Sequence, residues 1–275
     1  MDIRHSAYLR HGLALEASGE SLEALLADIR AADLRWEGFR ITLLRPPPRQ
    51  DVHGPTAILS VANAITGRPN LSKPRVQLAV AATERGWYLG RVVTEGDNRW
   101  REGMHRPHHF SSALPQRMAR ALANLVAGPG QTLIDPCCGI GTVVMEAAAA
   151  GIIAFGADQN GAMLKLVAEN LAYLGLPCRL FRADARQLVG HFDGAVLDLP
   201  YGRNTIGNRA LWRDLLAPLA QVADRVAVVA PQDLGDLISE LGLRSVRHVV
   251  VPKGGLTRHI HLLTAHPGNR ENHHE

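Results

Sequence analysis

No apolar run in this chain of 275 residues is long enough to cross a bilayer, and the opening Met1-Asp2-Ile3-Arg4-His5 lacks the apolar stretch of a signal peptide. A soluble, cytoplasmic protein with no membrane partner is expected. Cysteine is scarce: three residues, two of them the adjacent Cys137 and Cys138, make neither a disulfide framework nor a CxxC zinc pattern. They are expected to be reduced, with Cys137 and Cys138 packing beneath a tight turn rather than acting as thiol nucleophiles. Internal repeats are absent. His105, His108 and His109 cluster in sequence, but no neighbour completes a ligand set at a suitable spacing, so no metal is expected. A hydrophobic content of 46% argues against disorder and suffices for one large or two modest cores.

The net charge is +4, with a pI near 9.2, and residues 1–110 carry +3 of it, 15 Lys and Arg against 12 Asp and Glu. It is compatible with a nucleic-acid partner but too small to argue for one alone. The positive charge is nearly all arginine, whose guanidinium groups grip phosphates and stack on bases.

Residues 1–96 read as a small α+β module. Leu22, Leu25, Leu26 and Ile29 recur at helical spacing behind a capping Ser21, and Phe39 to Leu44 alternates as a strand ending at Arg45-Pro46-Pro47-Pro48-Arg49. Thr56 to Thr66 forms a second helix, and Arg75 to Val80 pairs with Trp87 to Val93 across Glu84-Arg85-Gly86. Residues 97–110 have no sustained period and read as a linker. From 111 to 267 strands and helices alternate, with strands ending at Ile134, Asp158, Asp184, Asp198 and Ala230. This alternation calls for a doubly wound parallel sheet with helices on both faces. Ser245 to Val251 and Arg258 to Thr264 close the chain as an antiparallel hairpin, and 268–275 is a frayed tail.

Two strand ends carry the chemistry. The first is Asp135-Pro136-Cys137-Cys138-Gly139-Ile140-Gly141-Thr142, where Gly139 and Gly141 remove the Cβ atoms that would keep a nucleoside cofactor from the backbone. Asp158, nineteen residues past Gly139 and at the next strand end, can accept both ribose hydroxyls. Asp184 can accept from an adenine amino group while the Ala185 N–H reaches a ring nitrogen; its alternative is to cap the following segment. Hydride transfer fits poorly, because Cys137 stands at the first glycine-like position and no third glycine precedes Glu146-Ala147.

The second strand end is Asp198-Leu199-Pro200-Tyr201. An aromatic exocyclic amine is a poor nucleophile because its lone pair is delocalised into the ring. A site that accepts both N–H hydrogens draws that pair out. The Asp198 carboxylate and the Leu199 carbonyl can do so, with Pro200 fixing the turn and Tyr201 stacking on the base.

These residues resemble the [D/N]PP[Y/F] motif of class I, S-adenosylmethionine-dependent amino-methyltransferases, and Asp135 to Gly141 resembles their D-P-x-C-G-x-G loop. More narrowly, Pro107-His108-His109-Phe110, Leu114 to Leu125 and Gly255-Leu256-Thr257-Arg258 resemble stretches of the THUMP-containing tRNA guanosine-N2 methyltransferases. Asn70-Leu71-Ser72-Lys73-Pro74 resembles the end of a THUMP domain, in a module shorter than the family's N-terminal half. Leu199 replaces the first proline of the motif, and Gly255 replaces a serine. The resemblance implies a Rossmann-like fold, S-adenosylmethionine as cofactor, tRNA as partner and N2-methylguanosine as product. Methylation of guanine in rRNA, of adenine-N6 in DNA, or RNA binding without catalysis are the alternatives. The implied cofactor set is Asp135, Cys137, Gly139, Gly141, Thr142, Asp158, Gln159, Asp184 and Ala185; the implied catalytic set is Asp198, Leu199, Pro200 and Tyr201.

Overall fold

The computed structural model describes residues 3, 5–46, 53–97, 105–111, 113–200, 208–253 and 256–264. The chain divides into two compact units, one made of residues 1–4 and 9–96 and the other of residues 5–8 and 97–275.

The first unit holds strands β1 (His11–Gly19), β2 (Phe39–Leu44), β3 (Val76–Thr83) and β4 (Gly86–Glu95) in the order β1-β4-β3-β2. Only β2 and β3 run parallel. Helices α1 (Leu22–Ala31) and α2 (Gly54–Ala64) share one apolar cluster with the sheet, in which Leu25, Ile29 and Val61 meet Phe39, Leu78, Val80 and Leu89. The Ser21 hydroxyl accepts the Ala24 amide and starts α1, as the capping pattern predicts. β1 has no counterpart in the sequence reading. Its Leu13-Leu15-Ala17 alternation is short, interrupted by Gly12, and broken by register shifts between Gly12 and Leu13 and between Leu15 and Ala17.

The second unit is a doubly wound sheet of β5 (Thr132–Asp135), β6 (Ile153–Asp158), β7 (Arg179–Arg182), β8 (Phe192–Asp198), β9 (Ala223–Ala230), β10 (Arg244–Lys253) and β11 (Leu256–Thr264). The spatial order is β10-β11-β9-β8-β5-β6-β7. The first five strands in sequence are mutually parallel, and β11 inserts antiparallel between β9 and β10. Helices α3 (Gln116–Val126), α4 (Thr142–Ala149) and α5 (Gly161–Leu174) pack in one apolar cluster, while α6 (Arg209–Val222) and α7 (Gly235–Glu240) pack in a second. Strands buried on both faces need near-continuous apolar sequence, which Ala195-Val196-Leu197 and Val226 to Ala230 supply.

Two stretches differ from the sequence reading. β7 stops at Arg182, and Asp184 lies beyond it as the cap of a short 3-10 turn, Ala185–Gln187. Of the stretch 97–110, read as a linker, the described residues 97 and 105–110 fall with the second unit. There the Asn170 side chain accepts the His108 amide and donates to the His108 carbonyl, at 2.9 and 3.2 Å. No helix among the described residues is long and apolar enough to cross a membrane.

Candidate active site

Asp135, Asp158 and Asp198 are each the last residue of a parallel strand, so the sheet itself delivers three carboxylates to its carboxyl edge. There they line a cleft of about 350 Å³ with Cys137, Gly139 and Thr142. The cleft volume suits a nucleoside-sized ligand.

The loop after β5 is held by backbone bonds. Cys138 donates to the Ala157 carbonyl at 2.9 Å, and Gly141 donates to the Cys138 carbonyl at 2.7 Å. Gly139 and Gly141 both sit at positive φ, 50° and 79°. They serve different ends: a Cβ on Gly139 would stand in open space, while one on Gly141 would lie 2.5 Å from Val167. Gly139 thus leaves the cleft floor bare, and Gly141 lets α4 begin against α5. Asp158 Oδ2 accepts the Gly139 amide at 2.9 Å, and its Oδ1 accepts the Asn160 amide at 2.8 Å. Each oxygen keeps a lone pair for a ligand.

Charge in this cleft is expensive. Burial pushes the Asp135 carboxyl up to about 8, with Asp198 and Asp158 adding to the rise against a bond from the Cys137 amide. Burial likewise raises Asp198 to about 7, opposed by the Arg258 guanidinium. Asp198 Oδ1 is buried without a hydrogen-bond partner among the described residues. The Cys137 thiol is raised to about 12 by burial and the surrounding carboxylates, and burial raises Cys138 further still, so neither is a thiolate nucleophile.

The remaining predicted residues that the structure describes are not part of the cleft lining. Gln159 is exposed, and its carbonyl accepts from Arg182 at 2.9 Å. Asp184 accepts from both the Arg186 amide and its guanidinium, which hold its carboxyl well below the usual range. It therefore caps the turn in which Ala185 is buried. Leu199 is buried and donates to the Val229 carbonyl at 3.0 Å, while Pro200 is exposed. Tyr201 lies outside the described residues.

The cleft also has a wall the sequence reading left out, made by Phe110, Ala113 and Leu114. Buried Arg106 anchors the stretch before it, donating to the Thr142 hydroxyl at 3.0 Å and the His108 carbonyl at 3.1 Å. Asn160 and Met163 complete the opposite side at the start of α5. Phe110 was visible in sequence only as part of a family-like stretch, because an aperiodic segment carries no signal of what it will cover.

Residues 104–259, more than half of the chain, match UPF0020, the RMKL-like methyltransferase domain. The chain belongs to that family. The chain is 31% identical over 172 residues to the tRNA (guanine(10)-N2)-dimethyltransferase of Methanothermobacter thermautotrophicus, over 58% of this chain and 51% of that protein. It is 27% identical over 213 residues to the Pyrococcus abyssi protein of the same name, over 72% of this chain and 64% of that one. It thus spans about half to two thirds of the length of these curated relatives. Among solved structures it shares the fold of TrmN from Thermus thermophilus, with a TM-score of 0.52 and 24% identity over 93% of this chain and 83% of that one.

Proposed function

We propose that this methyltransferase uses S-adenosylmethionine to place methyl on N2 of a guanosine in tRNA. The observation that carries the reading is the Asp198 carboxylate, which ends a strand at a nucleoside-sized cleft with one buried oxygen unpartnered. A buried acceptor without a donor is costly, and a substrate N–H removes that cost.

The cofactor fits what the cleft offers. The bare Gly139 floor admits a close-lying ligand, and Asp158 has acceptor capacity left at the second strand end. Asp135, Asp158 and Asp198 together favour a ligand with positive charge. S-adenosylmethionine supplies an activated methyl group on a sulfonium. At Asp198 the carboxylate accepts an N–H of the target amine, localising its lone pair as the new N–C bond forms and the C–S bond breaks, and then receives the surplus proton. The Leu199 carbonyl is the second acceptor, Pro200 fixes the turn, and Tyr201 stacks on the base. Asp135, Cys137 and Thr142 line the cofactor end, Gly141 shapes the loop after β5, and the Asp184 carboxylate, with Gln159 beside it, caps the turn that holds Ala185.

Paired guanines bury the amine in the duplex, so the target must be unpaired or extruded. Residues 1–96 hold the RNA by shape and phosphate contacts, in the manner of a THUMP domain, in a cytoplasmic protein. The names of the two archaeal relatives support tRNA guanine over rRNA guanine or DNA adenine. Incubating the full chain with labelled cofactor and unmodified tRNA, then digesting to nucleosides for mass spectrometry, should give N2-methylguanosine. Label only in N6-methyladenosine, or in no nucleoside, would refute this assignment.

A further inference from the structure

Three residues with no part in the methyl-transfer reading converge at the far side of the same sheet edge. Asp233 lies in the loop after β9, His248 on β10 and His261 on β11. Their ligating atoms all lie within 4.8 Å of one another. His248 and His261 face each other across the hairpin register, and His261 pairs with Val228 of β9.

The hydrogen bonds around the cluster bring three acceptors close together. His261 Nε2 accepts the Leu234 amide at 3.2 Å, so it carries a lone pair, and it lies only 3.3 Å from Asp233 Oδ1. His261 Nδ1 is buried and has no partner among the described residues. The Gly235 amide, 2.8 Å from Asp233 Oδ1, orients the carboxylate. His248 Nε2 lies 3.0 Å from His259 Nδ1. With that nitrogen donating to His259, His248 Nδ1 is a bare lone pair 4.0 Å from Asp233 Oδ2. Such a gap is too wide for a hydrogen bond, but an ion with bonds of about 2.0–2.2 Å to nitrogen and oxygen spans it.

We propose that Asp233, His248 and His261 bind a divalent transition-metal ion of the zinc type, with His259 as the outer partner that orients His248. Two imidazoles and a carboxylate are a borderline donor set, which suits zinc, cobalt or nickel and not magnesium. Three protein ligands leave a fourth position to solvent. The rings of His248 and His261 stack 4.2 Å apart with 5° between their planes. Their lone pairs therefore lie in parallel planes, and binding swings the exposed His248 ring toward the ion while the Leu234 amide gives up His261. The ion fastens the closing hairpin to the loop after β9, and it does so whether or not the methyl-transfer assignment holds.

The test is calorimetric titration of the full chain with zinc chloride at about pH 7.5, where free imidazoles are neutral. The wild type should take up one equivalent more than His248→Ala, both keeping every other histidine. Cobalt(II) should give the wild type a visible d–d band that His248→Ala lacks. His259→Ala should weaken the site by about 10–100-fold, the usual effect of losing an outer-shell partner. Asp233→Asn should abolish the extra equivalent. His248 and Asp233 are exposed, so these variants are expected to fold, which circular dichroism checks. Equal zinc stoichiometry and affinity in the wild type and His248→Ala would overturn the proposal. Magnesium binding as tightly as zinc would also overturn it.

Discussion

The Asp158 carboxylate reaches back across nineteen residues to accept the Gly139 amide at 2.9 Å, so the second strand end holds the loop of the first. Its other oxygen takes the Asn160 amide at the start of α5. Asp158 is therefore both a ligand candidate and the fastener of the cleft floor. Asp158→Ala should weaken S-adenosylmethionine binding by about 1.5–3 kcal/mol, the scale of one charged hydrogen bond. Unchanged affinity by titration calorimetry would confine Asp158 to its two backbone contacts.

Asp198 is assigned to the substrate amine and not to the cofactor. Asp198→Ala should abolish turnover while leaving cofactor affinity close to normal. Because burial raises this carboxyl to about 7 in the free protein and only the ionised form can both accept the amine N–H and take up the surplus proton, kcat/KM should climb as pH rises through about 7. A near-normal rate in the variant, or a pH-independent kcat/KM in the wild type between about pH 6 and 8, would remove Asp198 from the chemistry.

Legibility in the sequence followed locality. Asp135, Asp158 and Asp198 were readable as strand ends because each follows an apolar β run and precedes a turn or helix start. Asp184 was misplaced by two residues: its cap on the 3-10 turn is as local as a strand end, and the Arg186 contact that decides between them is a side-chain matter. β1 was lost because Gly12 and two register shifts blur its alternation. The meeting of His248 with His261 depends on the hairpin register, which a shift between Ser245 and Arg247 resets, and no spacing in the sequence encodes it. Phe110 reads as linker because the stretch around it is held by Thr142, through Arg106, and by Asn170, residues distant in sequence.

Asp135 gives a stability test with a definite sign. Its native pKa is raised to about 8, whereas in the unfolded chain it titrates near 3.9. Between these values the native state binds the extra proton, so this group's contribution to stability is full at low pH and is lost as pH rises through about 8. Asn cannot titrate. The urea midpoint of Asp135→Asn relative to wild type should shift in favour of the variant between about pH 5 and 8; a constant difference would contradict a neutral Asp135.

Arg120 on α3 and Glu146 on α4 form a buried pair at 2.9 Å, with side chains 0% and 4% exposed. Burial raises Glu146 to about 7 even against the Arg120 guanidinium. Arg120→Met leaves that carboxylate without its partner and should cost about 3–5 kcal/mol at neutral pH. The double variant Arg120→Met, Glu146→Leu should recover much of the loss, since replacing both members by apolar groups removes two desolvation costs. Equal destabilisation of the single and double variants in urea titration would show that packing, not charge, sets the value.

The RNA-holding role of residues 1–96 is best tested by charge and not by deletion. Starting the chain at Asp97 would remove His5–Tyr8, which belong to the second unit: Asn124 donates to the His5 carbonyl, Arg117 donates to the Ala7 carbonyl, and its guanidinium lies 4.6 Å from the Tyr8 ring centre. Lost tRNA binding in such a deletion could come from a loosened α3. Arg68 and Lys73 are exposed in the first unit, so replacing both with Gln leaves its core intact. If both cations sit on phosphates, tRNA affinity should fall while S-adenosylmethionine affinity stays unchanged. The slope of log K against log salt should shrink by about 0.7–0.9 for each phosphate no longer neutralised. An unchanged slope in filter binding across about 50–200 mM salt would take these two residues out of the RNA interface and point to the second unit as the docking surface.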